Sequence, residues 1–216
     1  MRDSGVVGND VVDLTDPAIA QHHNRERFVS RVCGVEERAR VVTAFDLWAH
    51  FAAKEAAYKA LVKLGFSPGF AHRDIRVSAD LRAVRWRENE LELSVAFDEQ
   101  CVHAVTWSAR SPPVLARVAR ARGEEGAAAR ALLCELLAEG IGGSADELKV
   151  VRDPVAGAWD GFGPPRVERR GATIEADVSL SHDGRFVAAA AIVGNEIGRL
   201  TPLRLVPARP APTWAH

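Results

Sequence analysis

The chain has 216 residues, 47% hydrophobic and 26% charged, which fits one large or two small globular domains and excludes wholesale disorder. Lys plus Arg number 28 against 29 Asp plus Glu, so no global field draws the protein to nucleic acid or to a membrane surface. Cys33, Cys101 and Cys134 form no CxxC and no His/Cys cluster, which argues against zinc and against a disulfide framework and leaves each as a small buried hydrophobe.

In chain order, Val6 to Leu14 (VVGNDVVDL) reads as a short strand running into a turn, with Asp16-Pro17 opening the next element. Residues 18–33 read as a helix with Ile19, Phe28 and Val32 as apolar markers, and 35–44 as a second helix with Glu36 and Glu37 in its first turn, where the dipole favours acids. A long Ala-rich helix spans 46–64 and stops at Gly65. Strands follow at 75–77, 83–86, 91–97 and 102–108; Leu91, Leu93, Val95 and Phe97 carry the period of two, and 87–90 makes a hairpin turn. Ser111-Pro112-Pro113 marks a domain boundary. Beyond it, 114–122 and 126–139 read as helices, 147–151 as a strand, and the Gly/Pro-rich 153–172 as a long loop. Val178 to His182 alternates apolar and hydroxyl side chains as a strand, Asp183-Gly184 turns the chain, and 186–193 returns. The tail after Gly198, rich in proline, is loosely held.

Each half thus has a long Ala/Leu helix, a strand, and a hairpin that closes on an Ala/Val strand. This internal repeat predicts an α+β fold of two similar subdomains packed about a pseudo-twofold axis, with a cleft between them. The units are residues 1–110 and 114–198, followed by the tail 199–216.

Within the helix Trp48 to Leu61, Glu55 and Lys59 stand at i and i+4, with Lys54 one residue round. A carboxylate flanked by two ammonium groups suits a site holding a metal ion and a phosphate together. On the helix alone, a solvated face with an ordinary i,i+4 ion pair is the better explanation of the pattern. A nucleotide-binding fold of the G-x-G-x-x-G or P-loop kind is disfavoured, because neither motif occurs.

Three blocks together resemble the phosphopantetheinyl transferases in number and order. Gly8-Asn-Asp10-Val-Val-Asp-Leu14 resembles that family's opening G-x-D-hydrophobic pattern. Phe51-Ala-Ala-Lys54-Glu55-Ala-Ala-Tyr-Lys59 resembles its K-E-A/S-x-x-K helix with the usual aromatic ahead of it. Val178-Ser-Leu-Ser181-His182-Asp-Gly-Arg-Phe186 resembles its S-x-S-H strand. The acid and the K-E helix come first here and the S-H strand ends the second unit, the reverse of the larger surfactin-synthetase-type enzymes, so the chain resembles their pseudo-dimer with the halves exchanged. Residues 5–193 carry the likeness. It implies a cytoplasmic, monomeric transferase that moves 4′-phosphopantetheine from coenzyme A to a serine of an acidic carrier protein of polyketide, nonribosomal peptide or fatty-acid synthesis. The rival from another class is a degenerate relative that binds coenzyme A or a carrier without transferring anything.

The resemblance implies roles residue by residue. Asp10 and Glu55 hold Mg²⁺, with Mn²⁺ as the alternative ion; Lys59 stabilises the phosphate, and Lys54 adds positive potential. Ser181 and His182 reach the coenzyme from the opposite unit, and Arg120 and Arg122, on a helix, take the phosphate on the ribose. Arg25, Arg27 and Arg31 form the basic docking face for the carrier. Two departures stand out. Val12 replaces the second acid of the larger enzymes, Asp13 matching an acidic position of the smaller ones, and Pro164 in Gly161-Phe-Gly-Pro-Pro165 stands where the family has Lys in G-K-P, so that one phosphate contact is either lost or passed to Arg166.

Overall fold

The computed structural model describes residues 5–17, 19, 26–68, 72–108, 114–156 and 161–194. Arg25, the 18–25 part of the first expected helix apart from residue 19, the Ser111-Pro112-Pro113 boundary and the Pro-rich tail lie outside these residues.

The first half is a helix laid on an antiparallel sheet. Strand β1 (Val7–Asp13) is followed by the short helices α1 (Glu26–Val32) and α2 (Val35–Arg38), and then by α3 (Ala44–Lys63). Thr43 starts α3 two residues earlier than expected, through a capping box: its Oγ1 accepts from Asp46 N at 3.2 Å while Asp46 Oδ2 accepts from Thr43 N at 2.7 Å. Gly65, at φ +86°, ends it in the left-handed conformation that a glycine adopts freely. A 3-10 turn at His72–Asp74 leads into β2 (Arg76–Val77), β3 (Ala83–Trp86), β4 (Asn89–Phe97) and β5 (Cys101–Trp107), which close a five-stranded sheet in the order β1-β5-β4-β3-β2. The expected helix 35–44 is a single turn, because Ala39 and Arg40 leave the helix before α3 begins.

The second half departs from expectation at two places. Residues 114–120 form a strand, β6 (Val114–Arg120), where a helix was expected over 114–122. Its alternation decides the matter: Leu115 and Ala119 pack with α4 (Glu125–Ile141), while Val114, Ala116 and Val118 pack towards β1 and β5, so both faces are covered only in an extended conformation. The second correction is in the expected loop 153–172. It contains β8 (Arg166–Arg169) and β9 (Ala172–Thr173), joined by a turn with Arg170 at φ +52° and Gly171 at +84°, and paired to β7 (Leu148–Val151) in a small sheet. Strands β10 (Ala176–Asp183) and β11 (Phe186–Val193) form the expected hairpin, and the larger sheet of this half runs β10-β11-β6.

The molecule stacks in four layers: α3, the five-stranded sheet, the β10-β11-β6 sheet, and α4. Val12, Val102 and Ala104 share a core with α3, whereas Val7 and Val105 pack against Ala190 and Ile192 of β11, and Val11 and Cys101 against Phe186 and Ala188. On its other face β11 packs Val187, Ala189, Ala191 and Val193 into the α4 core, which is why this strand is apolar throughout.

Strand β1 is the edge of its sheet, and its open edge is closed by side chains instead of by another strand. Val7 N donates to Asp177 Oδ2 at 2.7 Å, Asn9 N to Ser179 Oγ at 3.0 Å, Val11 N to Ser181 Oγ at 3.4 Å and Asp13 N to Asp183 Oδ2 at 2.7 Å. Each pair is 170 residues apart, so β10 runs parallel to β1 with alternate side chains laid along its amides. Two lysines of α3 complete the edge: Lys63 Nζ donates to Val7 O at 2.7 Å and Lys59 Nζ to Asn9 O at 2.9 Å. The edge is thereby protected from pairing with another chain, and the two halves are joined along the strand that carries Asp10.

Gly8 sets the distance between β1 and α3. A Cβ there would lie 2.0 Å from Ala56 O and 3.0 Å from Ala60 N, both helix backbone. Gly8→Ala therefore forces α3 off the strand, with an expected loss of about 3 kcal/mol, the upper part of the overpacking range. Thermal unfolding should show a fall of about 6–12 °C; an unchanged midpoint would mean that the helix yields freely.

Candidate functional site

Asp10 is the meeting point of the two halves. Its Oδ1 accepts from Lys59 Nζ at 2.9 Å and from Ser181 Oγ at 2.7 Å, so one carboxylate oxygen joins β1, α3 and β10. The side chain is nearly buried, and burial pushes its pKa up; Lys59 and Ser181 pull it back, and the negative charge of nearby Glu55 adds to the rise. Among the described residues Asp10 Oδ2 accepts no hydrogen bond. Glu55, one turn before Lys59 on α3, accepts at Oε1 from His72 Nε2, a short contact. The i,i+4 pair with Lys59 is not what holds it: Lys59 turns to Asp10 and Glu55 to His72.

Next to this cluster Asn9, fully buried, places Nδ2 3.3 Å from His103 Nε2, while its Oδ1 has no partner among the described residues. Burial and the charge of Lys59 push the His103 pKa down to about 4, so this imidazole is neutral at neutral pH. Asp13 is already engaged. Arg185 grips it with Nε to Oδ2 at 2.9 Å and Nη2 to Oδ1 at 3.1 Å, and Thr15 Oγ1 donates to Oδ1 at 2.6 Å. Burial alone would raise this carboxyl, but the Arg185 and Thr15 bonds outweigh it and hold the acid well below the usual carboxylate range. Asp13 ties the β10–β11 turn to β1; there Gly184, at φ +51°, lets the backbone approach to where a Cβ would stand 2.8 Å from Asp13 Oδ2.

The donor set fits a hard divalent cation. Asp10 and Glu55 are like charges close enough to disfavour one another, and each keeps one carboxylate oxygen without a partner among the described residues. No group of three or more His, Cys, Asp or Glu suited to a metal occurs among the described residues. An ion here would be held by two carboxylates and would complete its shell with water and substrate oxygens, as Mg²⁺ does.

The structure redirects several expected residues. Lys54 does not enter the cleft. It is fully buried on the other side of α3, where Nζ donates to Glu37 Oε2 at 2.5 Å and to Val32 O at 2.8 Å. Ser181 joins Asp10, but His182 does not, because consecutive strand residues face opposite sides. His182 lies half exposed on the α4 side with Nδ1 2.9 Å from Glu125 Oε2. Arg120 sits at the end of strand β6, not on a helix; it contacts Gln100 Oε1 and lies over the Phe186 ring. Arg122 is exposed in the link from β6 to α4. Arg27 and Arg31 are exposed on α1. Arg166 is committed to Asp153 at 2.9 Å and Glu168 at 2.5 Å, so it does not stand in for the missing lysine at Pro164.

The tertiary roles of Glu37, Lys63, His72 and His103 escaped the sequence reading. A buried ion pair leaves no local signature, since Glu37 and Lys54 meet through tertiary packing across 17 residues. His72 had one available signal, a histidine shortly after a K-E helix that is preceded by an aromatic.

Residues 6–110, which run from the start of β1 to beyond β5, match the family model described as the 4′-phosphopantetheinyl transferase superfamily. The match, over just under half of the chain, supports assignment of this segment to that superfamily, which implies a transferase. The family uses coenzyme A as donor, acts on carrier proteins and typically employs a divalent metal. No curated protein matches the chain. No helix among the described residues is long and apolar enough to cross a membrane.

Proposed function

We propose that the protein transfers 4′-phosphopantetheine from coenzyme A to a serine of an acyl or peptidyl carrier protein in a Mg²⁺-dependent reaction, releasing adenosine 3′,5′-bisphosphate. The observation that carries this reading is the convergence of Lys59 and Ser181 on Asp10 Oδ1, with Glu55 beside it and an open oxygen on each acid. We also read the two helix-backed sheets as residues 1–110 and 114–198 of a pseudo-twofold pair, with this site at their seam, so that one chain holds the complete site.

In the reaction the carrier serine Oγ attacks the β-phosphorus, a P–O bond forms to the serine, and the P–O bond to the adenosine-side phosphate breaks. Asp10 and Glu55 would hold Mg²⁺, which would supply charge neutralisation for the diphosphate oxygens. Asp10 and Glu55 fix where the diphosphate sits, and Lys59, anchored by Asn9 O and Asp10, offers its ammonium to the oxygen that gains charge. Ser181 orients Asp10 from the opposite half and contacts the coenzyme. The serine proton passes to Glu55 or to water. His182 and Arg122, exposed near the start of α4, and Arg120 take the nucleotide end. Arg27 and Arg31, with Arg25 beside them in sequence, attract the acidic carrier.

Incubation with coenzyme A, Mg²⁺ and a panel of apo-carriers should raise the mass of at least one carrier by a single phosphopantetheine group. Bound coenzyme A with no mass gain on any carrier would favour the binding-module reading, which the open pair of acids disfavours because binding alone needs no such pair.

A further inference from the structure

We infer that His72, held in place by Phe51, is a positioning residue that sets the orientation of the Glu55 carboxylate. This rests on the reading above that Glu55 holds the divalent ion. The contact itself is direct: a carboxylate only accepts, so His72 Nε2 is the donor and Glu55 Oε1 the acceptor. The other oxygen, Oε2, is thereby left for a ligand.

Three features make this contact a support and not a chance surface pair. First, both side chains are about four-fifths buried, at 19% and 21% exposure, so water competes weakly for the bond. Second, the imidazole is stacked on the Phe51 ring, with centroids 5.2 Å apart and planes 18° from parallel. Phe51 stands at i−4 to Glu55 on α3, so one helix face presents both the ring that seats His72 and the acid that His72 grips. Phe51 is itself packed edge-on against Trp48 at 5.3 Å, and Trp48 against Phe28 of α1 at 5.6 Å, which leaves the ring little freedom. Third, the backbone around His72 is anchored. Ile75 N donates to His72 O at 3.0 Å, Ile75 is buried, and Val77 N donates to Glu37 Oε1 at 2.7 Å. A glutamate on a helix has three side-chain torsions to fix; a donor on a rigid neighbouring turn removes that freedom before a ligand arrives. Donors that orient metal-binding carboxylates are commonly worth 10- to 100-fold in affinity or activity (order of magnitude).

The test titrates Mn²⁺ into the full-length protein in the presence of coenzyme A and follows free Mn²⁺ by electron paramagnetic resonance. His72→Ala should weaken Mn²⁺ binding by about 10-fold and lower kcat for carrier modification, with the KM for coenzyme A little changed. His72→Gln, whose amide nitrogen lies near the position of Nε2, should restore most of the affinity, whereas a residue needed only to fill space would not be rescued by the donor. Should His72→Ala fail to fold, Phe51→Leu keeps the apolar contact but removes the stack, and should weaken Mn²⁺ binding in the same direction. Glu55→Gln separates the two levels of inference. If that variant binds Mn²⁺ as tightly as the parent, the assignment of Glu55 to the ion is wrong. If it loses the ion while His72→Ala and Phe51→Leu both bind normally, Glu55 stands and the positioning role of His72 is overturned.

Discussion

Glu55→Gln should leave the protein folded and remove transfer. The change keeps the volume and an amide oxygen that can still accept from His72, and Glu55 is partly exposed, so the core is undisturbed. What disappears is the negative charge that faces Asp10 and, with it, one of the two charged oxygens available to a cation. The expected loss is about 10²–10³-fold in the rate of carrier modification, the magnitude seen when one preorganised electrostatic group is deleted. Timed mass measurements on an apo-carrier with coenzyme A and Mg²⁺ read the rate, and circular dichroism with a thermal melt reads the fold. A fully active, normally folded variant would take Glu55 out of the reaction.

Lys54→Met is the converse experiment, large in stability and small in chemistry. Lys54 and Glu37 are both buried, and their pairing holds α2 and β2 against α3: Glu37 also accepts Gly34 N at 2.7 Å and Val77 N at 2.7 Å. Burial pulls the Lys54 pKa down and Glu37 opposes it, the mark of a charge kept inside the protein by its partner. Removing the ammonium leaves a buried carboxylate with only backbone donors. Breaking such pairs costs about 3–5 kcal/mol, and the two retained amide bonds place this case near the lower figure. The melt should fall by roughly 6–12 °C, with activity per folded molecule largely kept below the transition. Adding Glu37→Gln should recover part of the loss, since no unpaired charge then remains inside. The opposite pattern, an unchanged melt with lost transfer, would return Lys54 to the cleft where the sequence pattern had put it.

Much of the architecture was readable before any coordinates. The alternation at 91–97 and 178–182, the Ala-rich run without Gly or Pro at 46–64, and the Asp183-Gly184 turn each specify local geometry through backbone sterics and period, and each occurs where expected. The reading failed where composition and packing disagree. Residues 114–120 are rich in Ala and Arg, good helix formers, yet their apolar positions serve two cores at once, which only a strand satisfies. In 153–172 the glycines and prolines hid a four-residue strand that gains its partner from β7.

The candidate site divides in the same way. Glu55 and Lys59 could be named from residue types and helical spacing, because the chemistry of phosphate and metal ions restricts which side chains serve, whereas Asp10 and Ser181 were named from the resemblance of their blocks to a known family. What they touch could not. That Lys59 reaches Asp10 and not Glu55, that Lys54 turns inward to Glu37, that His72 takes the acid and that His182 faces α4 depend on which layer covers each face. Local periodicity states that two residues point in opposite directions; only the packing of distant segments states what stands there to meet them.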